Sequence, residues 1–270
     1  MIGRSVLPEE YLAWNETYGA PFGFFGNERY YAGQSPYTSL RDVTMTKERG
    51  LFGFQYVSHT RLWEYPWAFH AAGLRPGMSV LDIGGGTAGL QYLAALNGCA
   101  VTNADPAAQP GANEWSDDGL AERHAIVNGL FGTDVRLLPV PIQEADLPEH
   151  SFDRIFCLSV LEHVGPAEAT DMMACAAGLL KPDGLMVMTV DLFLDLEPFG
   201  VLTRNHWGIN HDVGDLIKHT GLDLLAGDPR ELLGTPEFDR DRVVSQLPDL
   251  LVSATYPVVS QSFVLGRASR

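Results

Sequence analysis

The rhythm of apolar and polar positions along this chain changes once, near residue 76. Beyond that point short continuous apolar runs alternate with stretches of helical period. The series opens with Val80, Leu81 and Ile83 and passes through a glycine cluster at Gly84, Gly85, Gly86 and Gly89. A helix-like pattern and a second apolar run follow, ending at Asp105. Continuous apolar runs of this length suit strands buried on both faces. By the same reading, Arg136 to Val140, Ile155 to Val160 and Leu185 to Val190 are strands. Ser116 or Asp117 can cap a helix through Ala125 to about Gly129. A second helix covers Pro166 to Leu180 and gives way to a turn at Lys181-Pro182-Asp183-Gly184. A helix over Val213 to His219 ends at Gly221, and Leu222 to Ala226 and Ser260 to Gly266 read as two further strands. This alternation predicts a doubly wound, largely parallel α/β sheet, with ligands at the carboxyl ends of its strands.

Residues 1–75 follow a different pattern. Aromatic residues crowd there, and Ala20 to Ser39, with its glycines and prolines, reads as an irregular loop. From Thr44 the spacing of Leu51, Phe52, Tyr56, Leu62 and Trp63 predicts an amphipathic helix, which Pro66 breaks or restarts. We expect residues 1–75 to form an N-terminal helical cap, with Trp14, Tyr30 or Tyr31 lining a lid over a substrate. Residues 76–270 then form the core, and the long connection at about 192–212 is a substrate-facing insertion.

Composition narrows the partners. Of the 270 residues 46% are hydrophobic, yet no apolar run approaches the roughly 20 residues that span a bilayer. With no basic and apolar leader pattern at the start, a cytoplasmic protein without membrane partners is expected. Cys99, Cys157 and Cys175 are scattered, as buried thiols in a reducing compartment are. A net charge of −16 disfavours nucleic acid and leaves a small molecule, or a peptide, as substrate.

The glycine cluster carries the chemistry. Gly84 and Gly86 can adopt φ > 0 and let the backbone approach a ligand, and the helix behind them would aim its free N–H groups at the same place. Asp105 lies about 20 residues further on, where an acid at a strand tip accepts hydrogen bonds from ribose hydroxyls. Gly84-x-Gly86-x-x-Gly89 also matches the dinucleotide fingerprint, so a nicotinamide cofactor stays open at this point. Asp82, two residues before the first glycine, instead suits a cationic or amino group.

Four segments then stand in a familiar order: Asp82-Ile83-Gly84-Gly85-Gly86-Thr87, Ser151-Phe152-Asp153, Leu161-Glu162-His163-Val164 and Leu179-Leu180-Lys181-Pro182-Asp183-Gly184. Over about Gly77 to Val190 the chain resembles the class I S-adenosylmethionine-dependent methyltransferases. The resemblance implies a Rossmann-like, seven-stranded, mostly parallel sheet and S-adenosylmethionine as cofactor. It sets the methionyl end against Asp82, Gly84, Gly85 and Gly86 and the ribose on Asp105. Gln143 and Glu144 would flank the adenine, and Ser159 would line the cofactor's outer side. The chain departs from the family pattern at Ala88, which replaces the third loop glycine one place before Gly89. It departs again at Gln143, which stands where an acid is usual.

For the acceptor, His163 is the candidate general base, because an unperturbed pKa of about 6.5 suits proton removal. His206, His211 and Asp212 could be read as metal ligands, but no compact ligand motif is present and no metal is expected; Asp212 as a helix cap is the plainer reading. His206, His211, Asp212 and Asp191, at the end of a strand, are further candidates for removing the proton, and Trp207 with Arg204 could contact an acceptor ring or carboxylate. The expected activity is methyl transfer to a small-molecule acceptor, with oxygen favoured over nitrogen or carbon. The alternative is a related fold that keeps the cofactor but performs non-methyl chemistry or a binding role.

Overall fold

A computed structural model describes residues 1–24, 45–55, 58–108 and 119–268. The helices are α1 (Glu9–Tyr18), α2 (Arg61–Ala72), α3 (Gly89–Leu96), α4 (Leu120–Phe131), α5 (Pro166–Leu179), α6 (Val213–Thr220) and α7 (Arg240–Gln246). The strands are β1 (Ser79–Ile83), β2 (Ala100–Ala104), β3 (Arg136–Leu138), β4 (Phe152–Leu158), β5 (Leu180–Phe193), β6 (Asp223–Ala226) and β7 (Val258–Gly266). They make a seven-stranded sheet in the order β3-β2-β1-β4-β5-β7-β6. β1, β2 and β3 pair in parallel, as do β4 and β5, while β7 runs antiparallel to both β5 and β6. The expected doubly wound, mostly parallel sheet is therefore the observed one. No helix among the described residues is long and apolar enough to cross a membrane.

Two compact units divide the chain, Pro8–Ala145 in one and Met1–Leu7 with Asp146–Arg270 in the other. In the first, β1 is buried from Val80 onward and α3 from Gly89 to Ala94, which accounts for apolar sequences that only Asp82 and Gln91 interrupt. The parallel register runs from Ser79 against Ala100 to Ile83 against Ala104. Chain segments leaving the two strands therefore start side by side, and Gly84 N donates to Ala104 O (2.9 Å).

Helices α1 and α2 pack through aromatic rings. Tyr11 meets Trp63 edge-on at 5.3 Å and Trp14 meets Phe69 at 5.6 Å. The helix predicted from Thr44 begins only at Arg61. Gly50 interrupts the earlier stretch with φ +77°, and a Cβ there would lie 2.7 Å from the Phe24 ring, so Leu51 and Phe52 are buried from a turn. Pro66 neither breaks nor starts α2 but sits inside it. Having no N–H, it cannot satisfy the Leu62 carbonyl one turn earlier. Asn15 Nδ2, from α1, donates to that oxygen at 2.8 Å. Tyr30, Tyr31, Tyr56, Ser116 and Asp117 lie outside the described residues.

In the second unit β5 extends in both directions beyond its apolar run. It absorbs the predicted Lys181–Gly184 turn as an irregularity, with Phe152 opposite Leu180 but Arg154 opposite Leu185. Lys181 Nζ holds Asp153 there at 2.7 Å. The first residues join this unit: Ile2 bridges to Gln261 of β7, and its amide donates to the buried carboxylate of Glu231 at 2.7 Å. Ile2, Leu192, Val243, Leu250 and Val259 form one buried cluster. Helix α6 is capped at its start by Asp212, which accepts from Asp215 N (2.7 Å), and is closed by Gly221 at φ +64°.

Candidate active site

In the first unit β1 delivers the chain into the glycine loop. Gly84 and Gly86 take φ +65° and +52°, as expected. Gly85 does not, but a Cβ on it would lie 2.4 Å from Asp82 Oδ2, so it is small for a different reason. The loop's amides are all engaged. Gly84 N reaches Ala104 O at 2.9 Å, Gly85 N reaches Asn103 Oδ1 at 3.2 Å and Gly86 N reaches Asp105 Oδ2 at 2.7 Å. Thr87 N donates to Gln55 Oε1 (2.7 Å) and Ala88 N to Gly85 O (2.9 Å). Side chains of Gln55, Asn103 and Asp105 thus take three of these five loop donors, whereas the first turn of α3, expected to aim its N–H groups at a ligand, has no side-chain cap.

The loop's departure from the family spacing has a local cause. Ala88 is extended at φ −61°, ψ 138° and needs no glycine. Gly89 opens α3, where a Cβ would lie 2.6 Å from the Phe52 ring. The glycine one place later therefore serves packing.

Two buried acids stand close enough beside this loop to influence one another. Asp105, 5% exposed, accepts Ala107 N on Oδ1 (2.9 Å) as well as Gly86 N on Oδ2. Asp82, 4% exposed, meets no hydrogen-bond donor among the described residues. Burial pushes its pKa up to about 8, and the charge on Asp105 adds to the effect. Gln143 and Glu144 stand exposed on a short turn, Ile142–Glu144, where only Ile142 is buried.

Behind the loop stand residues that sequence reasoning missed. Gln91 Nε2 donates to Gly85 O (3.2 Å) and Gly86 O (3.1 Å), and Asn103 Nδ2 also reaches Gly86 O (3.0 Å). His124 Nε2 lies 3.3 Å from Gln91 Oε1. A signal did exist for two of them: Gln91 and Asn103 are polar residues inside mostly apolar elements and are themselves fully buried, and such groups are placed to be hydrogen-bonded. Gln55 and His124 carried no comparable signal.

In the second unit Ser159 follows β4 at φ +54°, a left-handed conformation uncommon outside glycine. Its Oγ donates to Glu162 Oε1, and its amide to Thr189 O at 2.9 Å. Next to Glu162, His163 places Nδ1 2.7 Å from the Trp207 carbonyl. A carbonyl only accepts, so Nδ1 carries the proton and Nε2 holds the lone pair in the neutral ring. That nitrogen lies 4.0 Å from Glu162 Oε1.

The segment from Asn205 to His211 therefore docks on Leu161 to Val164. Ile209 N donates to Glu162 O (3.0 Å), and His211 Nε2 to Leu161 O (2.6 Å). Gly208 leaves no room for a side chain, since a Cβ would come within 2.1 Å of Glu162 O. Trp207 stacks on Tyr256 at 4.8 Å with 17° between the rings. Burial lowers the pKa of His211, while His206 is exposed, edge-on to Trp207. These histidines and Asp212 are thus spent on a carbonyl, a ring and a helix cap, and no metal-binding group occurs among the described residues. Asp191, expected at a strand end, is buried within β5 opposite Ser260, and Arg204 is exposed.

The sheet order and the glycine loop are those of a methyltransferase. Residues 58–225 match the family model described as a methyltransferase domain, so this chain belongs to that family. Its motifs are those of the class I S-adenosylmethionine-dependent methyltransferases, as the resemblance implied. A ubiquinone biosynthesis O-methyltransferase of Chromobacterium violaceum is 28% identical over 163 residues, 55% of this chain and 66% of that protein. One from Bordetella pertussis is 35% identical over 118 residues, 44% of each chain. The match thus spans about half to two thirds of these curated relatives. Among solved structures, magnesium protoporphyrin IX methyltransferase from Synechocystis aligns over 98% of this chain and 99% of its own, at 17% identity and a TM-score of 0.51. That similarity reflects the fold.

Proposed function

We propose that this protein transfers the methyl group of S-adenosylmethionine to a small-molecule acceptor, with oxygen the favoured acceptor atom. The observation that carries the cofactor reading is the accounting at the glycine loop. Its backbone donors are already bonded within the unit, while the buried Asp82 carboxylate meets no donor among the described residues. A pyrophosphate would meet an acid of its own sign there. A ligand with an ammonium and a sulfonium fits, because its positive charge offsets the cost of an ionised Asp82. This favours a methyl donor over a dinucleotide.

When bound, S-adenosylmethionine supplies a methyl carbon open to in-line attack. In our reading Asp82 and the loop of Gly84, Gly85 and Gly86 hold its methionyl end, and Asp105 accepts the ribose hydroxyls. Gln143 and Glu144 flank the adenine and Ser159 lines its outer side. His163 takes the acceptor's proton on Nε2, its ring oriented by the Trp207 carbonyl. The relatives named as O-methyltransferases support oxygen as the acceptor atom. Residues 192–212 act as the acceptor-facing segment and residues 1–75 as the cap. Calorimetric titration with S-adenosylmethionine and S-adenosylhomocysteine tests the reading; absence of binding at millimolar concentration would sink it. Binding without methyl release to any of a panel of phenols, amines and acids would point instead to non-methyl chemistry.

A further inference from the structure

We infer that Gln91 and His124 are positioning residues for the methyl donor, a two-residue relay that holds the glycine loop in its binding shape from behind. This rests on the cofactor reading above. The relay begins at two carbonyls, Gly85 O and Gly86 O, both bonded to the same nitrogen, Gln91 Nε2. That double contact fixes the amide: the nitrogen must face the carbonyls, so Oε1 faces the other way. There it meets His124 Nε2 at 3.3 Å, and since Oε1 only accepts, His124 Nε2 carries the proton. His124 is 3% exposed and its ring lies against Tyr92 at 5.4 Å, an environment that keeps the imidazole neutral. Burial lowers its pKa to about 4, in agreement with that tautomer.

The consequence reaches the front of the loop through the peptide planes. With Gly85 O and Gly86 O turned toward α3, the amides of the same two peptide groups, Gly86 N and Thr87 N, must point away. They point to Asp105 Oδ2 and Gln55 Oε1. Glycine at φ +52° offers little resistance to a flip of the 85–86 or 86–87 peptide, so the side chains must supply it. Gln91 thereby sets the amide that orients Asp105, the proposed ribose acceptor, although it meets no ligand itself. Its own orientation depends on His124.

The test is a double-mutant cycle read on donor affinity. Wild type, Gln91→Leu, His124→Leu and the double variant are titrated with S-adenosylhomocysteine. Thermal melts and kcat at saturating S-adenosylmethionine are recorded in parallel. Gln91→Leu should weaken binding about tenfold, and His124→Leu about threefold, the range expected when a buried hydrogen-bonding group loses its partner. The double variant should bind no worse than Gln91→Leu alone, because the histidine acts through the glutamine. kcat should stay within about a factor of two, the mark of lost ground-state positioning. Gln91→Glu keeps the shape and removes the donor, so it serves if the leucine variant does not fold, and should weaken binding as much. Nitrogen shifts of His124 should report a neutral Nε2–H ring at pH 7. Additive losses, unchanged affinity in the variants, or a ring protonated on Nδ1 would overturn the relay. Failure of wild type to bind would instead overturn the cofactor reading.

Discussion

The glycine loop and the His163 region are built by opposite strategies. At the loop, side chains reach in to fix a backbone: Asn103, Asp105, Gln55 and Gln91 hold the amides and carbonyls of Gly85 to Thr87. Around His163 the backbone fixes side chains, since the carbonyls of Trp207 and Leu161 orient His163 and His211. A backbone held by many side chains has one shape and suits an invariant ligand. A side chain held by one carbonyl of a long connection can be re-aimed by changing that connection, which suits a variable acceptor.

The sharpest way to break this comparison is at Gly86. Its φ of +52° strains any residue with a Cβ, and the Gln55 oxygen, 2.5 Å from where that Cβ would lie, must swing away and give up Thr87 N. Gly86→Ala should lower affinity for S-adenosylhomocysteine by about two orders of magnitude, the effect of strain and a clash together. Calorimetry reads it, and near-normal binding would mean that the loop is softer than its bonding suggests.

At His163 the expected effect is on rate. His163→Gln should lower kcat about 100-fold, at the low end of general-base effects, while donor affinity changes by less than about a factor of two. A matched loss of donor affinity would show that the histidine serves the cofactor instead.

The third effect is a matter of pH. Asp82 has a folded pKa of about 8 against 3.8 for the free group, so the folded protein binds this proton more tightly than the unfolded chain does. Its contribution to stability is therefore fullest at low pH and is lost as pH rises from about 4 to about 8, by up to about 1.4 kcal/mol per pH unit. Urea melts of Asp82→Asn between pH 5 and 8 should show a flatter dependence than wild type. The cationic donor should restore part of the wild type's lost stability at pH 8 and little of the variant's.

Much of the first region was legible in the sequence because its parts are contiguous. A strand, three glycines and an acid at the end of the next strand are spelled out between Ser79 and Asp105, and register brings the two strand ends together. The relay behind the loop was not legible, since His124 sits on α4 with no pattern that ties it to Gln91. The helix predicted from Thr44 failed because apolar spacing does not register the positive φ at Gly50. In the second region Leu161 to Val164 and Asn205 to Asp212 were each noticed. Their contact runs through backbone carbonyls, which every residue carries and no sequence distinguishes.

The proline inside α2 has a consequence for the history of the chain. A helix with Pro66 has an acceptor without a donor at Leu62, and Asn15 supplies the remedy from another helix. The two positions are therefore linked by the order in which they can change. While proline stands at 66, loss of Asn15 exposes the defect, whereas replacement of Pro66 by alanine first makes Asn15 dispensable. One mutational path between the two states is open and the other passes through a weakened intermediate, so lineages that acquired Pro66 would have found Asn15 difficult to abandon.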